Sequence, residues 1–98
     1  MTETKFTPGP YKQYFDFEIV DEKCRIVATI CDVDFDEDTQ KANGALLGAA
    51  PDLYEALEEA VAIIEKHTYP CPDKPETAWQ RAQTFKQTLS RARGENNE

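Results

Sequence analysis

The sequence has no run approaching the roughly 20 apolar residues that a bilayer-crossing helix needs, so a helical membrane span is excluded. Histidine and tryptophan each occur once in 98 residues, and glycine four times. A lone histidine offers little for an imidazole-based metal or catalytic centre. The glycines are scattered and make no phosphate-cradling loop. Three cysteines are an odd and small count, which excludes a disulfide scaffold and points to a reducing compartment. Basic residues are also few: 11 Lys and Arg stand against 19 Asp and Glu, giving a net charge of -8. Nucleic-acid binders gain most of their affinity by neutralising phosphates, so no direct nucleic-acid partner is expected. The opening residues carry no basic-then-apolar leader, and a cytoplasmic location is expected.

What is present suits one small folded domain. Hydrophobic residues make up 40% of the chain, including five Phe and four Tyr, enough for a modest core. Residues 1–10 end in Thr7-Pro8-Gly9-Pro10 and read as a flexible arm, because this Pro-Gly pattern sustains neither helix nor central strand. From Tyr11 to Val20, Phe15, Phe17 and Ile19 alternate with Asp16, Glu18 and Val20, the period of a half-buried strand. Cys24 to Cys31 alternates again, with Cys24, Ile26, Ala28 and Ile30 on one face. Three polar residues between the runs predict a β-hairpin, and Val33 with Phe35 offers a third short strand.

Asp38 or Thr39 is a ready N-cap for a first helix over 39–50, whose apolar positions are Ala42, Leu46, Leu47 and Ala49. Pro51 suits a first helical turn and not an interior, so a second helix begins there. Leu53, Leu57, Ala60, Val61 and Ile64 give it an apolar face. A proline-rich loop over 68–75 leads to a third helix bearing Ala78, Ala82, Phe85, Leu89 and Ala92 in alternating steps of four and three. Gly94 sits at its C-cap. The second helix is acidic and the third basic, which favours an antiparallel pair. The predicted class is α+β: an N-terminal hairpin packed on three helices, the last two a helical hairpin. Residues 11–94 form the domain and 95–98 a polar tail.

Several constellations resemble chemistry without completing it. Asp32, Asp34 and Asp36 match the opening of a calcium loop, but the positions for the turn glycine and closing carboxylate hold Glu37 and Asn43. Cys24 and Cys31 are seven apart and face opposite sides of one strand, so they do not bridge. Cys71 has no C-x-x-C partner, and the three cysteines read as two half-buried small residues and one free thiol. His67 reads as a helix cap without a nucleophile and orienting acid beside it. Gly44 and Gly48, one turn apart, suit a helix lying close to a sheet. No metal or cofactor is expected, nor an enzyme.

Thr7-Pro8-Gly9-Pro10-Tyr11 and the block from Ala42 to Leu57, with Ala49-Ala50-Pro51-Asp52-Leu53 at its centre, resemble a widespread family of small bacteriophage and prophage proteins. That family shows a Gly-Pro-Trp start, a strand hairpin, and a stretch like Asn-Ala-x-Leu-Ile-Ala-Ala-Ala-Pro-Glu-Leu-Leu-Glu-Ala-Leu. Tyr11 replaces the tryptophan, and Gly44 and Gly48 replace alanines. The resemblance implies a phage context and carries no catalytic residue.

The expected function is therefore binding. In a phage setting this means blocking a host defence protein, such as a CRISPR effector, through its basic surface. The expected surface is Asp32, Asp34, Asp36, Glu37 and Asp38, joined by Glu55, Glu58 and Glu59. An alternative is an oligomeric sponge for a signalling nucleotide, using Trp79, Arg81, Lys86 and Arg91. A third is an assembly or stability module with no inhibitory role. A homodimer is expected, because a small sheet leaves open edges.

Overall fold

The structure, a computed structural model, describes residues 5–14, 17–30, 34–71, 73–74 and 77–95. Its elements are β1 (Lys12–Tyr14), β2 (Glu18–Val20), β3 (Ile26–Thr29), α1 (Glu37–Gly48), α2 (Ala50–His67) and α3 (Ala78–Ala92). The class is α+β: an antiparallel sheet in the order β1-β2-β3 precedes three helices, and α2 packs against α3. Packing within the 11–94 stretch divides at Leu53. Thr7–Leu53 makes one compact unit, and Tyr54 onward, joined by Phe6, makes the other. Phe15, Cys31, Asp32 and Val33, which the sequence places in the strands and the acidic stretch, lie outside the described residues.

The N-terminal unit corrects the strand reading. The run from Tyr11 to Val20 is two strands, with Tyr14 opposite Glu18 and Lys12 opposite Val20. Alternation looks the same in one strand and in two strands folded on each other, so period alone misses the turn. Ile19 is buried, whereas Phe17 is exposed. The following hairpin between β2 and β3 forms as expected, but its turn is longer. Asp21 accepts hydrogen bonds from the backbone N–H of Lys23 and of Arg25, each at 2.9 Å. This side-chain turn holds Cys24 at φ 63, exposed and outside the strand. A register irregularity follows, with Val20 opposite Ile26 and Ile19 opposite Ala28. One extra residue shifts the face, so Ile26 is exposed instead of sharing burial with Ile30.

Helix α1 begins at Glu37, two residues before the expected start, because Asp36 is the N-cap and accepts from the Thr39 N–H at 2.7 Å. Its buried position is Gly44, and Leu46 and Leu47 are 62% and 44% exposed. The glycine face lies on the sheet: a Cβ on Gly48 would stand 3.8 Å from the Gln13 backbone N and 3.9 Å from Ile19 Cδ1. The leucine expectation fails because small residues allow the closest approach, and they decide which side turns inward. The helices break as expected near Pro51. Ala49 caps α1 while its carbonyl accepts from the Leu53 N–H, and Pro51 is second in α2, where no intrahelical N–H is needed.

The C-terminal unit has a core of Tyr54, Val61, Ala82 and Leu89, flanked by Phe6, Leu57, Ile64 and Phe85. Tyr54 replaces Leu53 and Ala60, both exposed, on the inward row of α2. Phe6 meets Tyr54 edge-on, with ring centroids 5.0 Å apart. Thr77 caps α3, its hydroxyl oxygen accepting a hydrogen bond from the Gln80 N–H at 3.3 Å. Gly94 ends it at φ 82, with the Gly94 and Glu95 N–H groups bonding the Arg91 and Ser90 carbonyls. Lys86 of α3 pairs with Glu65 of α2 at 2.6 Å.

Candidate functional site

The acidic approach to α1 is built by a bend at Asp34 and Phe35 followed by the cap and first helical turn. Asp34, Asp36, Glu37 and Asp38 are all exposed. Part of this grouping has a local cause. Thr39, through its hydroxyl and then its backbone N–H, holds the Asp36 carboxyl below the usual aspartate range. Glu37 and Asp38 lie where the helix dipole favours negative charge, and Lys41 stands 3.9 Å from Glu37. The side chains of Asp34 and Asp38 have no hydrogen-bond or ion-pair partner among the described residues. Phe35, between two of the acids, is 52% exposed. The patch therefore offers carboxylates and, adjacent in sequence, an accessible aromatic ring, able to receive Lys or Arg side chains and an apolar contact.

Glu55, Glu58 and Glu59 lie on α2, with Glu58 half-buried and the other two exposed. Taking roughly 100° per residue, they share one side of that helix. On α3, Trp79 is half-buried, and Arg81, Lys86 and Arg91 are exposed. The same geometry puts Trp79 and Lys86 on one flank, Arg81 on the opposite flank, and Arg91 on the outer side. These four do not share a face. Lys86 is already engaged, and with Gln83 it holds the Glu65 carboxyl below the usual glutamate range. His67 ends α2, exposed, and Cys71 is a half-buried free thiol in the loop beyond. Among the described residues, no three His, Cys, Asp or Glu side chains gather as a metal cage.

Sequence reasoning overlooked Phe35 as part of the exposed patch, having assigned it to a strand. It also missed the outward Leu46 and Leu47. The signal for the latter was present, since Gly44 and Gly48 mark the side of α1 that approaches the sheet.

The acidic approach, the glycine-faced helix and the break at Pro51 fall within a single family match, which spans residues 1–96 and is described as Salmonella phage P22 protein Y8K6. The chain belongs to that phage protein family. Searches of curated proteins and of solved structures gave no match. Membership supplies the bacteriophage setting; the surface chemistry must supply the rest. No helix among the described residues of this Y8K6-family chain is long and apolar enough to cross a membrane.

Proposed function

We propose that this protein of a phage family acts by binding, its acidic α1 entry docking on a Lys- and Arg-lined surface of a host protein and inhibiting it. A defence protein such as a CRISPR effector presents surfaces of that kind, built to hold nucleic acid. The protein works in the host cytosol, without contacting nucleic acid or membrane itself. One observation carries this reading: the side chains of Asp34 and Asp38 stand exposed in a dense acidic stretch, without partners among the described residues. Capping accounts for Asp36 and the dipole favours Glu37 and Asp38, but neither needs Asp34.

The test is capture from host lysate with the full chain, followed by binding of the captured protein in rising salt. Asp34→Asn, Asp36→Asn and Asp38→Asn are combined, because asparagine keeps the size and still caps a helix. The wild type is expected to retain a protein with a basic surface, and raising salt from about 0.05 to 0.5 M should weaken it. The folded triple variant is expected to lose the partner. Binding that survives all three substitutions refutes the acidic site. A co-purifying nucleotide would shift the assignment to the sponge reading and to Trp79, Arg81, Lys86 and Arg91.

A further inference from the structure

A second apolar row runs along α2, separate from the row that meets α3. Leu53, Ala56, Ala60 and Ile63 recur in steps of three, four and three, the spacing of residues that face a neighbouring helix. All four are exposed, Leu53 and Ile63 at 53% each. Helical periodicity sets this row roughly a quarter turn from Tyr54, Leu57, Val61 and Ile64. Two alanines at its centre permit close approach of another backbone, and a larger side chain stands at each end.

The charges beside the row select its occupant. Asp52, Glu59 and Lys66 are seven residues apart and line one flank, all exposed, with Glu55 further round the helix. In an antiparallel pair with Ala56 opposite the second copy's Ala60, Leu53 meets Ile63 in both directions. That register brings each Asp52 to the other copy's Lys66 and sets the two Glu59 side chains against each other. Two attractions then oppose one repulsion. Parallel pairing gives Asp52 no lysine to meet. A two-fold arrangement satisfies both contacts with one surface, as isologous dimers do.

We infer that a second copy of this chain covers the row through an antiparallel α2–α2 contact. This surface shares no residue with the acidic α1 entry or with the strands.

Sedimentation equilibrium of the full chain across a concentration series tests it. The expected result is a reversible rise from 11.1 kDa to twice that mass. Ala60→Glu is expected to hold the chain at the monomer mass with its helical circular dichroism intact, because the site is exposed and Glu is a good helix former. Asp52→Lys and Lys66→Glu should each weaken self-association by roughly fivefold or more, and Glu59→Gln should strengthen it. An equimolar mixture of the Asp52→Lys and Lys66→Glu proteins should recover a heterodimer, since the mixed pair restores both attractions. A monomer at every concentration overturns the inference. So does a dimer indifferent to Ala60→Glu, or a mixture of the charge variants that fails to associate.

Discussion

The C-terminal unit lays Tyr54, Val61, Ala82 and Leu89 into one row between two helices, while the N-terminal unit buries Ile19, Val20 and Ile30 around strands of three or four residues. A helix satisfies its own interior backbone, so a helical pair can assign its inward side chains to a shared core. Short strands depend on neighbours for every backbone bond and cover little area. The N-terminal unit accordingly leaves Phe17, Ile26, Phe35 and Leu46 exposed. The difference teaches how each core is made. The C-terminal unit draws its core from one helix–helix row, the N-terminal unit from short strands and a glycine-faced helix, and both leave large apolar side chains accessible.

The largest effects should come from emptying each core. Ile19→Ala and Leu89→Ala remove side chains that are 1% and 5% exposed, each at a cost of about 2–5 kcal/mol. Hydrogen exchange then reads the coupling between units. Ile19→Ala is expected to speed exchange in β2 and β3 while sparing α3, and Leu89→Ala to do the reverse. Equal loss of protection throughout would break the comparison. Gly9→Ala should follow, at about 1–3 kcal/mol in denaturant unfolding. A Cβ there would stand 2.7 Å from Pro51 Cβ and 2.8 Å from its Cγ, and a proline ring has little freedom to yield.

Asp21 makes an acid-sensitive point in the N-terminal unit. Its side chain accepts from the Arg25 and Lys23 backbone N–H groups and from Arg25 Nε at 2.8 Å. The backbone bond from Arg25 comes first among the causes that hold its carboxyl below the ordinary aspartate value, against the opposing effect of burial. The contribution is complete above the unfolded aspartate pKa of about 3.9, and is lost as pH falls through the lower folded value. Asp21→Asn should therefore be less stable than wild type at neutral pH, and the gap should close below about pH 4. Denaturant unfolding from pH 7 to pH 2 checks this. A constant gap would mean that the amide disrupts the turn for a reason other than charge.

The helical half was the more legible in the sequence. Ten residues of alternation from Tyr11 to Val20 cannot distinguish one strand from a strand pair, whereas Pro51 and Gly94 mark helix ends by backbone chemistry that admits few alternatives. The inward face of α2 was nearly right, turned slightly from Leu53 and Ala60 toward Tyr54, whose hydroxyl receives a hydrogen bond from Arg93 Nη1 at 3.0 Å. That partner lies 39 positions away, and no local pattern announces it. For the acidic site, the carboxylates were visible in sequence as a group. Their division was not, because Asp36 becomes a cap only once α1 begins at Glu37.

A smaller loss should follow from Gly94→Ala, about 1 kcal/mol, since φ 82 is unfavourable for a residue with a Cβ although the space around it is open. Urea unfolding of the full chain measures it. The same substitution should leave sheet exchange unchanged, because its cost arises at the end of α3.

Leu46→Gln should do least. Leucine and glutamine have similar helix propensities, and Leu46 is 62% exposed on the side of α1 opposite its glycines. Little apolar burial is lost when such a side chain is replaced, so unfolding free energy should change by no more than about 0.5 kcal/mol. A buried leucine on a sheet-facing row would respond quite differently, with a cost in the range expected for Ile19→Ala. The measurement thus separates the glycine-face packing of α1 from the leucine-face packing that simple helical patterning suggests. A loss above about 2 kcal/mol would show that Leu46 is covered in the working protein and would return the leucines to the core.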